Sequence, residues 1–183
     1  MRIFRSLIVA LCCGLLAGNT PAFAEEHAVQ KAVLVTGAST GIGLRIAQTL
    51  AKEGFYVYAG ARKAEDLARL DAMSNIRSVK LDVTLQEDVD AAVDFIRREG
   101  RGLWGIVNNA GVVMLAPLAA GSESAVKTTL DVNVLGPVRV NNAFLPFLLE
   151  SGGRTTIIGS ISGYIAEGED GGYSASEFAV EGY

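Results

Sequence analysis

The sequence predicts an α/β fold with a doubly wound parallel sheet, and three observations support this class. Short apolar runs alternate with amphipathic helical segments from Ala28 onward. The first run leads into a glycine-rich loop and then a helix, which is the order of a β-α unit in a parallel sheet. The composition, half apolar and one fifth charged, fits one globular domain in a chain of 183 residues.

Five short runs are predicted as strands, because each is rich in apolar or β-forming residues and ends near glycine or polar residues. Repeated strand–helix units of this kind connect neighbouring parallel strands. The five runs are Lys31–Thr36, Phe55–Ala59, Val79–Leu81, Leu103–Val107 and Arg154–Ile158.

The helices between these strands are predicted from apolar residues at helical spacing. In the first helix, Ile42, Ile46 and Leu50 recur every four residues, and Gly54 ends it. Gly136-Pro137 is expected to interrupt a long helical region that covers residues 122–149. The other helices are expected over residues 65–73 and 85–96 and from Ser174 onward.

Residues 1–24 have the layout of a secretory signal peptide. Arg2 and Arg5 form a positive start, Leu7–Ala17 is an uncharged and mostly apolar run, and Ala22–Ala24 supplies small residues at a cleavage position. The apolar run is shorter than the ~20 residues that span a membrane. We therefore expect an exported, periplasmic or secreted protein made of residues 25–183. A membrane-anchored or cytoplasmic protein with an uncleaved leader is the alternative.

Charge and residue counts argue against several function classes. The net charge is −4 and no segment carries a cluster of lysines and arginines, so a nucleic-acid partner is not expected. Cys12 and Cys13 lie in the leader, and the only histidine, His27, lies beside the expected cleavage position. Thiol chemistry, serine–histidine triads and metal sites are therefore not expected.

The loop from Thr36 to Gly43 is the first candidate binding site. Gly37 permits a sharp turn, Gly41 lets the backbone approach a pyrophosphate, and Gly43 lets the helix and strand pack closely. The N-terminus of the following helix offers free N–H groups to phosphates. We expect this loop to bind a dinucleotide through Thr36, Gly37, Ser39, Gly41, Ile42 and Gly43.

The G-x-x-x-G-x-G spacing of this loop, together with Asn108–Gly111 after the fourth strand, resembles the short-chain dehydrogenase/reductase family. Leu81–Val83 after the third strand adds to the resemblance, which covers nearly all of Lys31–Tyr183. The stretch Gly102–Gly111 is most similar to the retinol and steroid dehydrogenase branch. The resemblance implies a Rossmann-type fold and hydride transfer between a nicotinamide cofactor and an alcohol or carbonyl.

The resemblance also implies further contacts to the cofactor. Asp82 would hydrogen-bond the adenine amino group, with Val83 beside it. Asn109, Ala110 and Gly111 would form the wall on the nicotinamide side. The alternative for the last three residues is a polar turn at the end of a strand.

The residues at the end of the second strand indicate whether the cofactor is NADP or NAD. An acidic residue there would bind the ribose 2′-hydroxyl of NAD, whereas an arginine suits the 2′-phosphate of NADP. Arg62 occupies this region, and the first acidic residue after the strand is Glu65. NADP is therefore the predicted cofactor, with NAD as the alternative, and Arg62 could instead be a solvated charge.

The resemblance implies Tyr173, Ser160 and Asn133 as catalytic residues. Tyr173 would exchange the carbinol proton and also contact the cofactor. Ser160 would hydrogen-bond the substrate oxygen, and Asn133 would steady a water molecule. Family members have a lysine four residues after the tyrosine, which binds the nicotinamide ribose and favours tyrosinate. Glu177 occupies that position here. Because a carboxylate disfavours ionisation of a neighbouring phenol, impaired catalysis is expected.

Two functions are compatible with these patterns. The first is an NADP-dependent oxidoreductase that acts on a small-molecule alcohol or carbonyl and is slowed by Glu177. The second is a non-catalytic nucleotide-binding remnant or fragment of the same family. Family members continue past this helix into two further strands and a segment that covers the substrate. About five strands are therefore expected, with the C-terminal strands missing, and a family-type homo-oligomer is doubtful because its helical surface would be incomplete.

Overall fold

The computed structural model describes residues 30–114, 122–166 and 171–183. The predicted leader, both cysteines and the histidine lie outside these described residues. The strands are β1 (Ala32–Val35), β2 (Tyr56–Ala61), β3 (Ile76–Lys80), β4 (Gly105–Asn108) and β5 (Arg154–Ile157). The α-helices are α1 (Gly41–Lys52), α2 (Ala64–Asp71), α3 (Gln86–Glu99), α4 (Glu123–Leu130), α5 (Gly136–Ser151) and α6 (Gly171–Gly182).

The five strands form one sheet in the order β3-β2-β1-β4-β5, and all four neighbouring pairs are parallel. The predicted Rossmann-type, doubly wound parallel sheet is therefore confirmed. The strand order reverses between β1 and β4, and ligands of open α/β sheets bind in the crevice at such a point. Within the described residues, no helix has both the length and the apolar character needed to cross a membrane.

Two apolar cores cover the two faces of the sheet. Because successive side chains of a strand point to opposite faces, Ala32 and Leu34 join one core while Val33 and Val35 join the other. The first core includes residues of α3 and α5, and the second includes residues of α1 and α2. This packing fixes the carboxyl ends of the strands relative to the helices that follow them.

β3, α3, α6 and the long helical region differ in detail from the sequence prediction. α3 ends at Glu99 and α6 begins at Gly171, each three residues from its predicted bound. β3 begins at Ile76, three residues before the predicted start, and only its Ile76 and Val79 are buried. The long helical region continues through Gly136-Pro137, and its irregularity is a π-helical turn over Asp131–Leu135. A Cβ at Gly136 would lie 2.8 Å from the Val83 side chain, so the glycine permits this close contact.

Phe144 should contribute more to the free energy of unfolding than Leu149, which lies on the same helix, α5. Its side chain is fully buried in the first core, whereas Leu149 is 73% exposed. Phe144→Ala should lower the free energy of unfolding by about 3–5 kcal/mol through lost burial and a cavity. Leu149→Ala should change it by less than about 0.5 kcal/mol. Urea unfolding followed by circular dichroism measures both, and equal losses would contradict this packing.

Candidate functional site

A cleft of about 490 Å³ lies outside the carboxyl ends of the central strands. It occupies the position where the strand order reverses between β1 and β4. The structure brings eleven of the predicted cofactor-binding residues together around it. They are Gly37, Ser39, Gly41, Ile42, Gly43, Arg62, Asp82, Val83, Asn109, Ala110 and Gly111.

The glycine loop packs tightly against the loop that follows β4. Gly37 and Gly41 have φ values of 64° and 55°, in the left-handed region that favours glycine. A Cβ at Gly37 would lie 2.8 Å from the Ala110 Cα, and a Cβ at Gly43 would overlap the Asn109 amide. At Gly41 the same position is open space. Gly37 and Gly43 therefore permit close packing, while Gly41 leaves the cleft side of the loop open.

Thr36 and Tyr173 are the predicted cofactor-binding residues that do not line the cleft, and Thr36 is buried behind it. Its Oγ1 accepts hydrogen bonds from the backbone N–H groups of Asn109 and Ala110, each at 3.0 Å. The Asn109 side-chain amide donates to the carbonyl oxygens of Thr36 and Gly37 at 3.0 and 3.2 Å. These bonds join the ends of β1 and β4, so Thr36 positions the cleft rather than lining it.

Asn108 comes directly before Asn109 in the stretch Asn108–Gly111, but its side chain contacts a different part of the molecule. Its buried side-chain amide donates to Asn141 Oδ1 at 2.9 Å and to Thr155 Oγ1 at 3.0 Å. These contacts connect β4 to α5 and β5. The two neighbouring asparagines therefore have separate roles, since Asn108 supports the sheet and Asn109 shapes the cleft.

Asp82 and Arg62 face each other at one end of the cleft. Arg62 Nη1 lies 3.6 Å from Asp82 Oδ2, and the Arg62 side chain is 69% exposed. The Thr84 hydroxyl and N–H donate to Asp82 Oδ1 at 2.7 and 3.0 Å. Partial burial would raise the pKa of Asp82, but the Thr84 hydrogen bonds and then Arg62 outweigh it, and the pKa lies below its ordinary value.

The arrangement fits a dinucleotide. Thr40, the residue that precedes α1, makes no side-chain hydrogen bond to the first turn, which leaves that turn available to phosphate oxygens. The open position at Gly41 lets a ligand approach the same backbone. Arg62 adds an exposed cation and Asp82 an ionised hydrogen-bond acceptor at the end of the cleft.

Two of the three predicted catalytic residues, Tyr173 and Ser160, contact the buried carboxyl group of Glu177. Glu177 is 5% exposed, and its carboxylate accepts hydrogen bonds from the Tyr173 hydroxyl and the Ser160 backbone N–H. The Ser160 hydroxyl accepts a hydrogen bond from the Ser162 N–H at 3.2 Å. The residue at the lysine position of the family therefore holds the tyrosine hydroxyl directly.

Burial is the main cause that raises the pKa of Glu177 above its ordinary value, and the nearby carboxylate of Glu181 raises it further. The hydrogen bonds from Tyr173 and Ser160 act in the opposite direction. Glu181 itself accepts a hydrogen bond from the Tyr164 hydroxyl at 2.7 Å. The sequence reading missed Glu181, although the four-residue spacing places it one helical turn after Glu177.

Asn133 lies in the π-helical turn and is 5% exposed. Its Oδ1 accepts from the Val112 N–H at 2.9 Å, and its Nδ2 donates to the Val112 carbonyl and to Ser176 Oγ, each at 3.0 Å. Ser176 donates in turn to the Tyr173 carbonyl at 2.7 Å. Asn133 thus connects the loop after β4 with α6, and Ser176 is a second residue that the sequence reading missed.

Comparison with known proteins gives the family. A sequence model described as "short chain dehydrogenase" matches residues 31–183 of the chain. The chain belongs to the short-chain dehydrogenase family. It is 37% identical over 175 residues to "D-beta-hydroxybutyrate dehydrogenase, mitochondrial" of Bos taurus, which covers 90% of this chain and 51% of that protein.

Two further relatives agree with this assignment. "Dehydrogenase/reductase SDR family member 9" of Bos taurus is 33% identical, covering 99% of this chain and 58% of its own length. The structure of an alcohol dehydrogenase from Thermococcus sibiricus complexed with 5-hydroxy-NADP matches with a TM-score of 0.80 and 28% identity, covering 84% of this chain and 68% of that one. The short-chain dehydrogenase chain thus spans about half the length of the curated relatives it matches.

The ionisation of Glu177 and that of Asp82 should make the free energy of unfolding depend on pH in opposite directions. The raised pKa of Glu177 adds stability that is fully present below the ordinary value of 4.5 and is lost as pH rises through the folded-state value. The lowered pKa of Asp82 adds stability that is present above 3.8 and is lost as pH falls through its folded-state value.

Chemical unfolding across the pH range measures this difference. Relative to the unmodified chain, Glu177→Gln should gain stability as pH rises from 4.5 towards neutrality, since a neutral amide cannot ionise. Asp82→Asn should be less stable than the unmodified chain above pH 3.8, and this difference in stability should disappear only at more acidic pH. Parallel stability curves for the unmodified chain and Glu177→Gln would contradict the stated environment of Glu177.

Proposed function

We propose that this short-chain dehydrogenase binds NADP in preference to NAD and transfers hydride slowly between an alcohol and a ketone or aldehyde. The observation that carries the proposal is a contrast between the nucleotide cleft and the surroundings of the Tyr173 hydroxyl. The nucleotide cleft brings the predicted binding residues together, whereas the tyrosine hydroxyl is held by a buried carboxyl group. Cofactor binding is therefore favoured and proton exchange is not.

The residues of the cleft divide the binding of the dinucleotide between them. The glycine loop and the first turn of α1 bind the phosphates of the dinucleotide. Arg62 binds the 2′-phosphate, and Asp82 accepts a hydrogen bond from the adenine amino group. When bound, the nicotinamide ring supplies or accepts the hydride. The solved relative complexed with 5-hydroxy-NADP supports NADP as the cofactor.

The slow step in this proposal is proton exchange at Tyr173. An ionised Glu177 next to the phenol opposes tyrosinate, which is the form that would take a proton from an alcohol. Burial raises the pKa of Glu177, so the carboxyl group is neutral over a wider pH range than usual. A neutral carboxyl group removes the repulsion, but it supplies no positive charge to stabilise tyrosinate.

Glu177→Lys should raise turnover by roughly 100-fold, in line with the usual contribution of a well-placed acid–base group. A cation at this position favours tyrosinate, where the carboxylate opposes it. The assay is NADPH formation with a panel of alcohols that includes D-β-hydroxybutyrate, the substrate in the name of one relative.

The matched control is Glu123→Lys, which makes the same charge change at an exposed position of α4. It should leave turnover unchanged. An equal gain in both variants, or brisk turnover by the unmodified chain, would contradict the role assigned to Glu177.

Arg62→Ala should weaken NADPH binding by about 10- to 100-fold, because a charged hydrogen bond contributes about 1.5–3 kcal/mol. NADH binding should change little, since NADH has no 2′-phosphate. Lys63→Ala is the control, because Lys63 is adjacent, similarly exposed and paired with Glu65. Fluorescence titration of each cofactor gives the dissociation constants, and equal losses for NADPH and NADH would contradict the preference.

The second candidate function is nucleotide binding without turnover. The hydrogen bond from Tyr173 to the buried Glu177 favours it, because a hydroxyl engaged in this way is less available to a substrate oxygen. NADPH binding by the unmodified chain, with no oxidation of any alcohol in the panel by it or by Glu177→Lys, would select this function.

A further inference from the structure

Arg69, on α2, is a cation next to the nucleotide cleft that has no part in the cofactor contacts described above. Its Nη2 donates to the carbonyl oxygen of Ser39 at 2.6 Å. The same nitrogen donates to Asp66 Oδ1, also at 2.6 Å. Ser39 belongs to the glycine loop and lines the cleft. A guanidinium of α2 is therefore held against the loop that forms one wall of the cleft.

The part of the glycine loop that Arg69 contacts lies beside the end of β2. The Ala38 N–H donates to a carbonyl oxygen of β2 at 2.8 Å, so the next residue, Ser39, passes close to this strand. In the sheet, β2 lies between β1 and β3. Arg62 pairs with Asp82 on the β3 side, whereas Arg69 contacts the loop that follows β1. The end of β2 thus has one guanidinium towards each neighbouring strand.

The contacts of Arg69 leave part of its guanidinium free to bind a ligand. Both hydrogen bonds use Nη2, and Nε and Nη1 have no acceptor within the part of the chain that the structure describes. The side chain is 46% exposed, so these N–H groups are accessible. A planar guanidinium matches the geometry of a phosphate. Because Asp66 and Ser39 already fix its orientation, less conformational entropy is lost when it binds.

The contact with Ser39 also changes the charge that the loop presents to a ligand. A carbonyl oxygen carries partial negative charge and repels a phosphate, and the Arg69 guanidinium offsets this charge. The end of the second strand is where dinucleotide-binding sheets receive the 2′-phosphate of NADP. NAD has a hydroxyl in place of this phosphate. The guanidinium should therefore affect the binding of NADP much more than that of NAD.

We propose that Arg69 is a second residue that determines the preference for NADP, and that it acts with Arg62 on the 2′-phosphate. The contact of its guanidinium with the glycine loop beside the end of β2 supports this role. The role rests on the proposed binding of NADP, but it is independent of hydride transfer and of the state of Tyr173.

Fluorescence titration of the full chain with NADPH and with NADH tests this role. Arg69→Met keeps the apolar stem of the side chain and removes the guanidinium. It should weaken NADPH binding by about tenfold, because a charged hydrogen bond to the 2′-phosphate is lost. It should weaken NADH binding by less than about twofold. The double variant Arg62→Ala, Arg69→Met should bind the two cofactors with equal affinity.

Arg97→Met is the matched control. Arg97 is also an exposed helical arginine that pairs with an aspartate three residues earlier, Asp94. It lines a different cavity, at the edge of the sheet where the strands begin. This variant should bind both cofactors like the unmodified chain, and a loss equal to that of Arg69→Met would overturn the role of Arg69.

The two cofactors separate the ways in which the role could fail. Equal losses of NADPH and NADH affinity in Arg69→Met would overturn it, since Arg69 would then only hold the glycine loop in place. Unchanged NADPH affinity in Arg69→Met, with the preference lost in Arg62→Ala, would overturn it and leave the proposed function intact. Equal affinities of the unmodified chain for NADPH and NADH would overturn both the proposed preference and the role of Arg69.

Discussion

The hydrogen bonds between the carboxyl ends of β1 and β4 are the constraint on which the nucleotide cleft depends. The Thr36 hydroxyl accepts hydrogen bonds from the Asn109 and Ala110 N–H groups. The Asn109 side-chain amide in turn donates to the carbonyl oxygens of Thr36 and Gly37, which follow β1. Two loops can approach this closely only because Gly37 and Gly43 lack side chains. A cleft walled by backbone and short side chains results, and it suits a ligand that is bound through phosphates.

The catalytic corner of this short-chain dehydrogenase follows a different electrostatic logic from its nucleotide cleft. At the cleft, hydrogen bonds from Thr84, and then the Arg62 cation, lower the pKa of Asp82 and so favour its ionised form. At the corner, burial and Glu181 favour the neutral form of Glu177, while Tyr173 and Ser160 donate hydrogen bonds that favour the ionised form. The acidic side chain is thus accommodated by the fold, although it cannot give the tyrosine the positive charge that a lysine would.

The parallel sheet also separates two kinds of surface. Its carboxyl edge presents glycines, amides and the acidic corner, whereas its amino edge presents cations stacked on aromatic rings. Every strand of a parallel sheet starts at one edge and ends at the other, so the loops of the two edges can vary independently.

The fold class was predictable from the sequence because buried parallel strands and amphipathic helices leave period-dependent patterns of apolar residues. The edge strand β3 was placed less well, since only two of its five residues, Ile76 and Val79, are buried and its apolar run is short. The glycine loop was predictable for a related reason: residues with left-handed φ values, such as Gly37 and Gly41, favour glycine whatever surrounds them.

By itself, the sequence determined the sheet, the order of its elements along the chain and eleven of the residues that line the nucleotide cleft. The tertiary structure decided the partners of those residues: the burial of Thr36 behind the cleft, the pairing of Asn133 with Ser176, and the contact of Tyr173 with Glu177. Local patterns encode backbone conformation and burial. Side-chain contacts across distant segments depend on how the helices pack, which no short stretch of sequence specifies.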